Sequence, residues 1–93
     1  MSPIDKLAEE VLTLGANLPN PRCVPDVMGG VVVYFFGGGR HPDGGWNCQA
    51  GVMIDPTLKA SLYLRDRRKP GCSVSNIGDM QAAMDKIQQF LSA

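Results

Sequence analysis

Residues Val31–Phe36 read VVVYFF, an unbroken run of β-branched and aromatic side chains. Such residues suit the pleated surface of a strand and lose rotamer freedom in a helix. Both alternating sets are apolar, so this strand is expected to be central or covered on both faces. The rest of the chain must supply its neighbours. Trp46–Ile54 does so with a period of two. Trp46, Cys48, Ala50, Val52 and Ile54 form an inward set, and Asn47, Gln49, Gly51 and Met53 an outward one. After a turn at Asp55–Lys59, Ala60, Leu62 and Leu64 point inward and Ser61, Tyr63 and Arg65 outward. Gly37–Gly45 (GGGRHPDGG) joins the first two strands. Its five glycines predict a long hairpin loop with little order of its own.

Helices are expected at both ends. Ser2 is placed to cap the first, with Pro3 in its opening turn and Asp5 three residues past the cap. Ile4, Leu7, Ala8, Val11 and Leu12 then follow the i, i+3, i+4 spacing of one buried face. Gly15 is read as a left-handed terminator. Asp79 caps a final helix whose apolar stripe is Met80, Ala83, Met84, Ile87, Phe90 and Leu91. Trp46 is read as core, with its indole N–H bonded to a carbonyl near the loop. Leu18–Pro25 holds three prolines, which forbid a helix, so it runs extended, with Arg22–Val24 the candidate for a short edge strand. Cys72–Ser75 is read as a short fourth strand.

The expected fold class is therefore α+β, in a single domain over residues 1–93. An N-terminal helix, a three- to four-stranded antiparallel meander and a C-terminal helix follow in order, with both helices on one face of the sheet. A chain of this length buries only roughly 60–65% of its unfolded surface. Its core is thin, which favours a surface or loop site over a deep enclosed one.

Charge excludes little and favours little. Nine basic and nine acidic residues balance, so no global field draws the chain to nucleic acid or an anionic membrane. A neutral chain also lacks the repulsion that opposes self-association, which supports a homodimer or a bound partner. Neither a signal peptide nor a membrane span is read from the sequence. Cys23, Cys48 and Cys72 are scattered without a CxxC, and read as reduced thiols of a cytoplasmic protein. With a single histidine they form no metal set, and no cofactor is expected.

Three features are candidates for function. The first is the outward face of the sheet, where Val32, Tyr34, Phe36, Gln49, Met53, Tyr63 and Arg65 fall together by parity. Aromatic, Met and Arg enrichment marks the centre of protein interfaces. The alternative is a face that is solvated or covered by the proline-rich segment. The second is the glycine loop, with Gly38, Gly39, Arg40, His41 and Asp43. It would hold a small ligand or nucleotide, or simply form a hairpin tip in which Asp43 pairs with His41. A strand rather than a helix follows it, unlike a phosphate loop. The third is the basic run Arg65, Arg67, Arg68 and Lys69, read either as a nucleic-acid contact or as a solvated strand end.

His41 lacks a nucleophile and an orienting acid arranged for catalysis, so no enzyme is expected. The leading expectation is a small interaction protein of bacterial or phage type. It would occlude a partner as inhibitors, immunity proteins and antitoxins do.

The runs VVVYFFGG (Val31–Gly38), LYLRDRR (Leu62–Arg68) and IQQFL (Ile87–Leu91) resemble small uncharacterised bacterial proteins with a helix–sheet–helix layout. The resemblance covers the last two thirds of the chain. It implies the fold and carries no activity.

Overall fold

The computed structural model describes residues 2–92. Helix α1 (Pro3–Leu14) is followed by strands β1 (Arg22–Pro25), β2 (Val31–Arg40), β3 (Trp46–Ile54), β4 (Ala60–Asp66) and β5 (Ser73–Asn76), and then by helix α2 (Met80–Ser92). The strands form one antiparallel sheet in sequence order, β1-β2-β3-β4-β5. This is the expected α+β meander with both short edge strands realised, five strands rather than three or four. The proline-rich segment pairs along the edge of β2 as β1 and does not cover the open face.

Both helices pack on the same side. Their apolar stripes meet Val33, Phe35, Ala50, Val52, Ile54 and Leu62, with Val11, Met84 and Ile87 closing the core from the helix side. Full burial of a side chain such as Phe35 contributes about 1.5–3 kcal/mol. The Ser2 hydroxyl accepts from the Asp5 N–H at 3.2 Å and donates to its carboxylate at 2.8 Å. Asp79 accepts from the Gln81 N–H and so caps α2.

Gly15 closes α1 for a reason other than the expected one. Its φ is −95°, outside the left-handed region. What requires glycine is space: a Cβ there would lie 2.8 Å from both Met84 Cε and Phe35 Cζ.

The glycine run also departs from expectation. Gly37–Arg40 is not loop but the end of β2. Gly37 pairs with Cys48 and Arg40 with Trp46, so Gly38 and Gly39 together oppose the single Asn47. This is a β-bulge. Gly38 and Gly39 have φ of +73° and +86°, which L side chains adopt only at a cost. Gly38 also lies directly against Cys48. The true connection is only His41–Gly45, closed by the His41 N–H donating to the Gly45 carbonyl at 2.8 Å.

Candidate functional site

Register decides which side chains share a face, because directly paired residues project to the same side of a sheet. Val32 pairs with Met53, Tyr34 with Gly51 and Phe36 with Gln49. Met53, Gly51 and Gln49 pair in turn with Ser61, Tyr63 and Arg65. The outward face expected from alternation is thus brought together across three strands, opposite the helices.

The edge strands extend it with residues that sequence reasoning missed. Arg22 and Val24 pair with Tyr34 and Val32. Val74 and Asn76 pair with Tyr63 and Ser61. Val24 is 37% exposed and Val74 58%. Strands of four residues are too short for a period of two to stand out. Once a strand is granted, parity alone assigns both valines outward.

Gly51 organises the centre of this face. A Cβ there would stand 2.9 Å from Tyr34 Cδ1 and 3.3 Å from Val32 Cγ1. The Tyr34 ring therefore lies over a bare backbone position, where a neighbouring side chain would otherwise hold it off. It meets Tyr63 edge-on, with ring centroids 6.3 Å apart at 78°, and Phe36 at 6.0 Å. Edge-to-face geometry suits the ring quadrupole. Burial raises the Tyr34 phenol above its ordinary range, helped by Tyr63 and by Asp26 at the β1–β2 turn. Val32 departs from its expected role. Only 5% of its surface is exposed, because Val24, Met53 and the Tyr34–Gly51 pair surround it. It supports the face from below and offers a partner little surface.

The remaining candidates occupy the far end of the sheet. The Arg40 guanidinium stacks on Trp46, 4.1 Å from the ring centroid, and donates to the Gly44 carbonyl. Trp46 is partly exposed rather than core, since the last turn of α2 stops at Gly37, where Leu91 is packed. His41 does not pair with Asp43. Its Nδ1 lies 3.0 Å from Asn47 Oδ1, while Asn47 Nδ2 donates to the Gly38 carbonyl at 2.9 Å. That amide orientation leaves Oδ1 as acceptor, so His41 Nδ1 carries the proton. Asn47 thereby ties the bulge to the turn.

Asp43 instead forms a two-pronged ion pair with Arg67 and accepts the Gly45 N–H at 2.9 Å. The hydrogen bond from Arg67, then that from Gly45, lowers the Asp43 carboxyl from 3.8 to about 2. The basic run is divided between the two sides. Arg65 belongs to the open face, and the Arg67 N–H continues the ladder to the Asn47 carbonyl. Arg68 turns to Asp66 and donates to the Cys48 sulfur at 3.7 Å on the helix side. Lys69 lies in the turn that follows.

One cleft lies among these residues and a second lies at the opposite end of the sheet. The first, of about 340 Å3, is lined by Phe36, Gly45, Trp46, Gln49, Arg65 and Arg67. A larger groove of about 490 Å3, lined by Leu7, Leu58 and Met80 among others, offers one charged side chain, Lys59, and no aromatic ring. Among the described residues, no three His, Cys, Asp or Glu side chains are grouped as a metal ion would need, and no helix is long and apolar enough to cross a membrane. No protein-family model matches the chain, and neither does any curated protein or solved structure.

Proposed function

We propose that this chain is a small protein-binding module that works by covering a partner with the open face of its sheet, in the manner of an inhibitor, immunity protein or antitoxin. One observation carries the reading. Tyr34, Phe36, Met53 and Tyr63 form a partly exposed aromatic and Met cluster with no layer of the described residues above it, flanked by the exposed Val24 and Val74. Such a cluster, ringed by Arg and polar side chains, has the composition of an interface centre. Its strands are held from behind by the packed helix side, so the face is ordered before any partner arrives. That reduces the entropy lost on binding.

Two other readings have less support. A nucleotide held by Arg40, His41 and Asp43 would compete with contacts these side chains already make to Trp46, Asn47 and Arg67. A nucleic acid held by Arg65, Arg67, Arg68 and Lys69 would meet a run split between two sides, with Arg67 and Arg68 each paired to an acid. Co-isolation from the native source tests the interface reading. The tagged chain should recover one protein in stoichiometric amount, and a Tyr63→Ala, Val74→Lys variant should lose it. No stoichiometric protein, or equal recovery by both, would sink the reading.

A further inference from the structure

Apart from Asp43, which reaches Arg67 from the β2–β3 turn, the open face has charge of one sign. Its paired strand positions carry Arg22 and Arg65 and no carboxylate. The acids of this neutral chain lie in or at the start of the two helices, or at strand ends and turns. Asp26, the acid whose charge acts on Tyr34, stands at the β1–β2 turn, the opposite end of the sheet from Arg65. At the Arg65 end lies the cleft of Phe36, Trp46, Gln49, Arg65 and Arg67. Arg65 makes no ion pair among the described residues, whereas the Arg67 fork is already engaged by the exposed Asp43.

Resting on the protein-binding reading, we infer that the occupant of this face is an acidic protein segment. A carboxylate of that segment enters the cleft to pair with Arg65, beside the Arg67–Asp43 pair, and its apolar side chains lie on Tyr34, Met53, Tyr63 and Val74. The chemistry fits in three ways. A guanidinium fork pairs bidentately with a carboxylate. The Gln49 amide beside it supplies a further donor. Phe36 and Trp46 line the same cleft, and with a segment seated there they would shield the pair from water, which strengthens charged hydrogen bonds.

A second copy of the chain fits less well. Its own open face brings no carboxylate in register. Its acid-bearing helices would dock only head to tail, an arrangement that does not close into a dimer. A single-stranded nucleic acid needs ring faces free for stacking. Here Tyr34 and Tyr63 stand edge to face.

Trp46 is the only tryptophan and lines the cleft, so its fluorescence reads occupancy directly. The probe is an N-acetylated peptide of alternating Glu and Leu, about as long as β2. It is compared with its Gln-for-Glu counterpart and with oligothymidine of similar length. The Glu peptide should give a saturable signal that weakens with salt. It should bind about tenfold more tightly than the Gln peptide, the effect expected of one charged hydrogen-bonded pair. Arg65→Gln should remove that difference. Asp43→Asn, which keeps the acceptor for the Gly45 N–H but frees Arg67, should enlarge it.

Equal binding of the Glu and Gln peptides would overturn the acidic preference and leave the interface reading standing. Tighter binding of oligothymidine would overturn it in favour of nucleic acid. No saturable signal from any probe would also overturn it, while the co-isolation experiment decides the interface reading separately.

Discussion

On β2, Val33 and Phe35 turn toward the helices and are wholly buried, whereas Tyr34 and Phe36 turn away and remain partly exposed. The four residues are consecutive, and all four are largely apolar. What separates them is parity and the presence of a second layer. On the helix side, both side chains belong to one core cluster with Val11 of α1 and Met84, Ile87 and Leu91 of α2. On the open side, the rings meet only each other, Gly51 and the sheet beneath. A strand apolar on both sides is read most simply as buried on both sides. Here one of the two apolar sides carries no second layer among the described residues.

The largest effect should come from the covered side. Phe35→Ala should cost about 3–5 kcal/mol in chemical denaturation, because the helices cannot collapse fully onto the void. Tyr34→Ala should cost clearly less, about 1–2 kcal/mol, since it forfeits mainly its ring pairs and partial burial. Equal losses would show that the open side is as buried as the other.

Next comes Gly51→Ala, which leaves the backbone unstrained but drives a methyl into the Tyr34 ring. A loss of about 1–3 kcal/mol is expected, with a change in the near-ultraviolet circular dichroism of the tyrosines. Retained stability and an unchanged aromatic signal would mean that the ring does not rest on Gly51. Val74→Lys should be nearly silent in stability, within about 0.5 kcal/mol, while lowering partner affinity. A marked destabilisation would place Val74 in the core rather than on the interface.

The smallest effect is electrostatic. The folded-state Asp43 carboxyl titrates at about 2 rather than 3.8, so folding binds its proton more weakly than the unfolded chain does. The resulting stabilisation is fully present above 3.8 and is lost as pH falls through about 2. The pair is exposed, so the effect should be local. The Gly45 amide resonance should shift across that window while the core resonances hold. Titration of the Gly45 amide near 3.8 instead would mean that Arg67 does not hold the carboxylate.

Much of this arrangement was legible in the sequence, because its signals are local. Ser2 and Asp79 cap helices through neighbours two or three residues away, and alternation in Trp46–Ile54 and Ala60–Arg65 assigned both faces. The bulge was not legible. A run of three glycines looks like a loop, and only the pairing of Gly37 with Cys48 and Arg40 with Trp46 shows that it stays in the sheet. The Asp43–Arg67 pair was hidden for a similar reason. Its partners are 24 residues apart in sequence, and His41 offered a nearer, misleading choice. Val24 and Val74 were overlooked because an edge strand of four residues is defined by its partner strand rather than by its own pattern.

The measurement that bears most directly on an open, unshared sheet face is solution mass by light scattering over a wide concentration range. A monomer of 10.0 kDa at every concentration is expected, with Tyr34, Tyr63 and Val74 free to meet a different protein. A dimer that dissociates on Tyr63→Ala or Val74→Lys would show instead that a second copy already occupies the face.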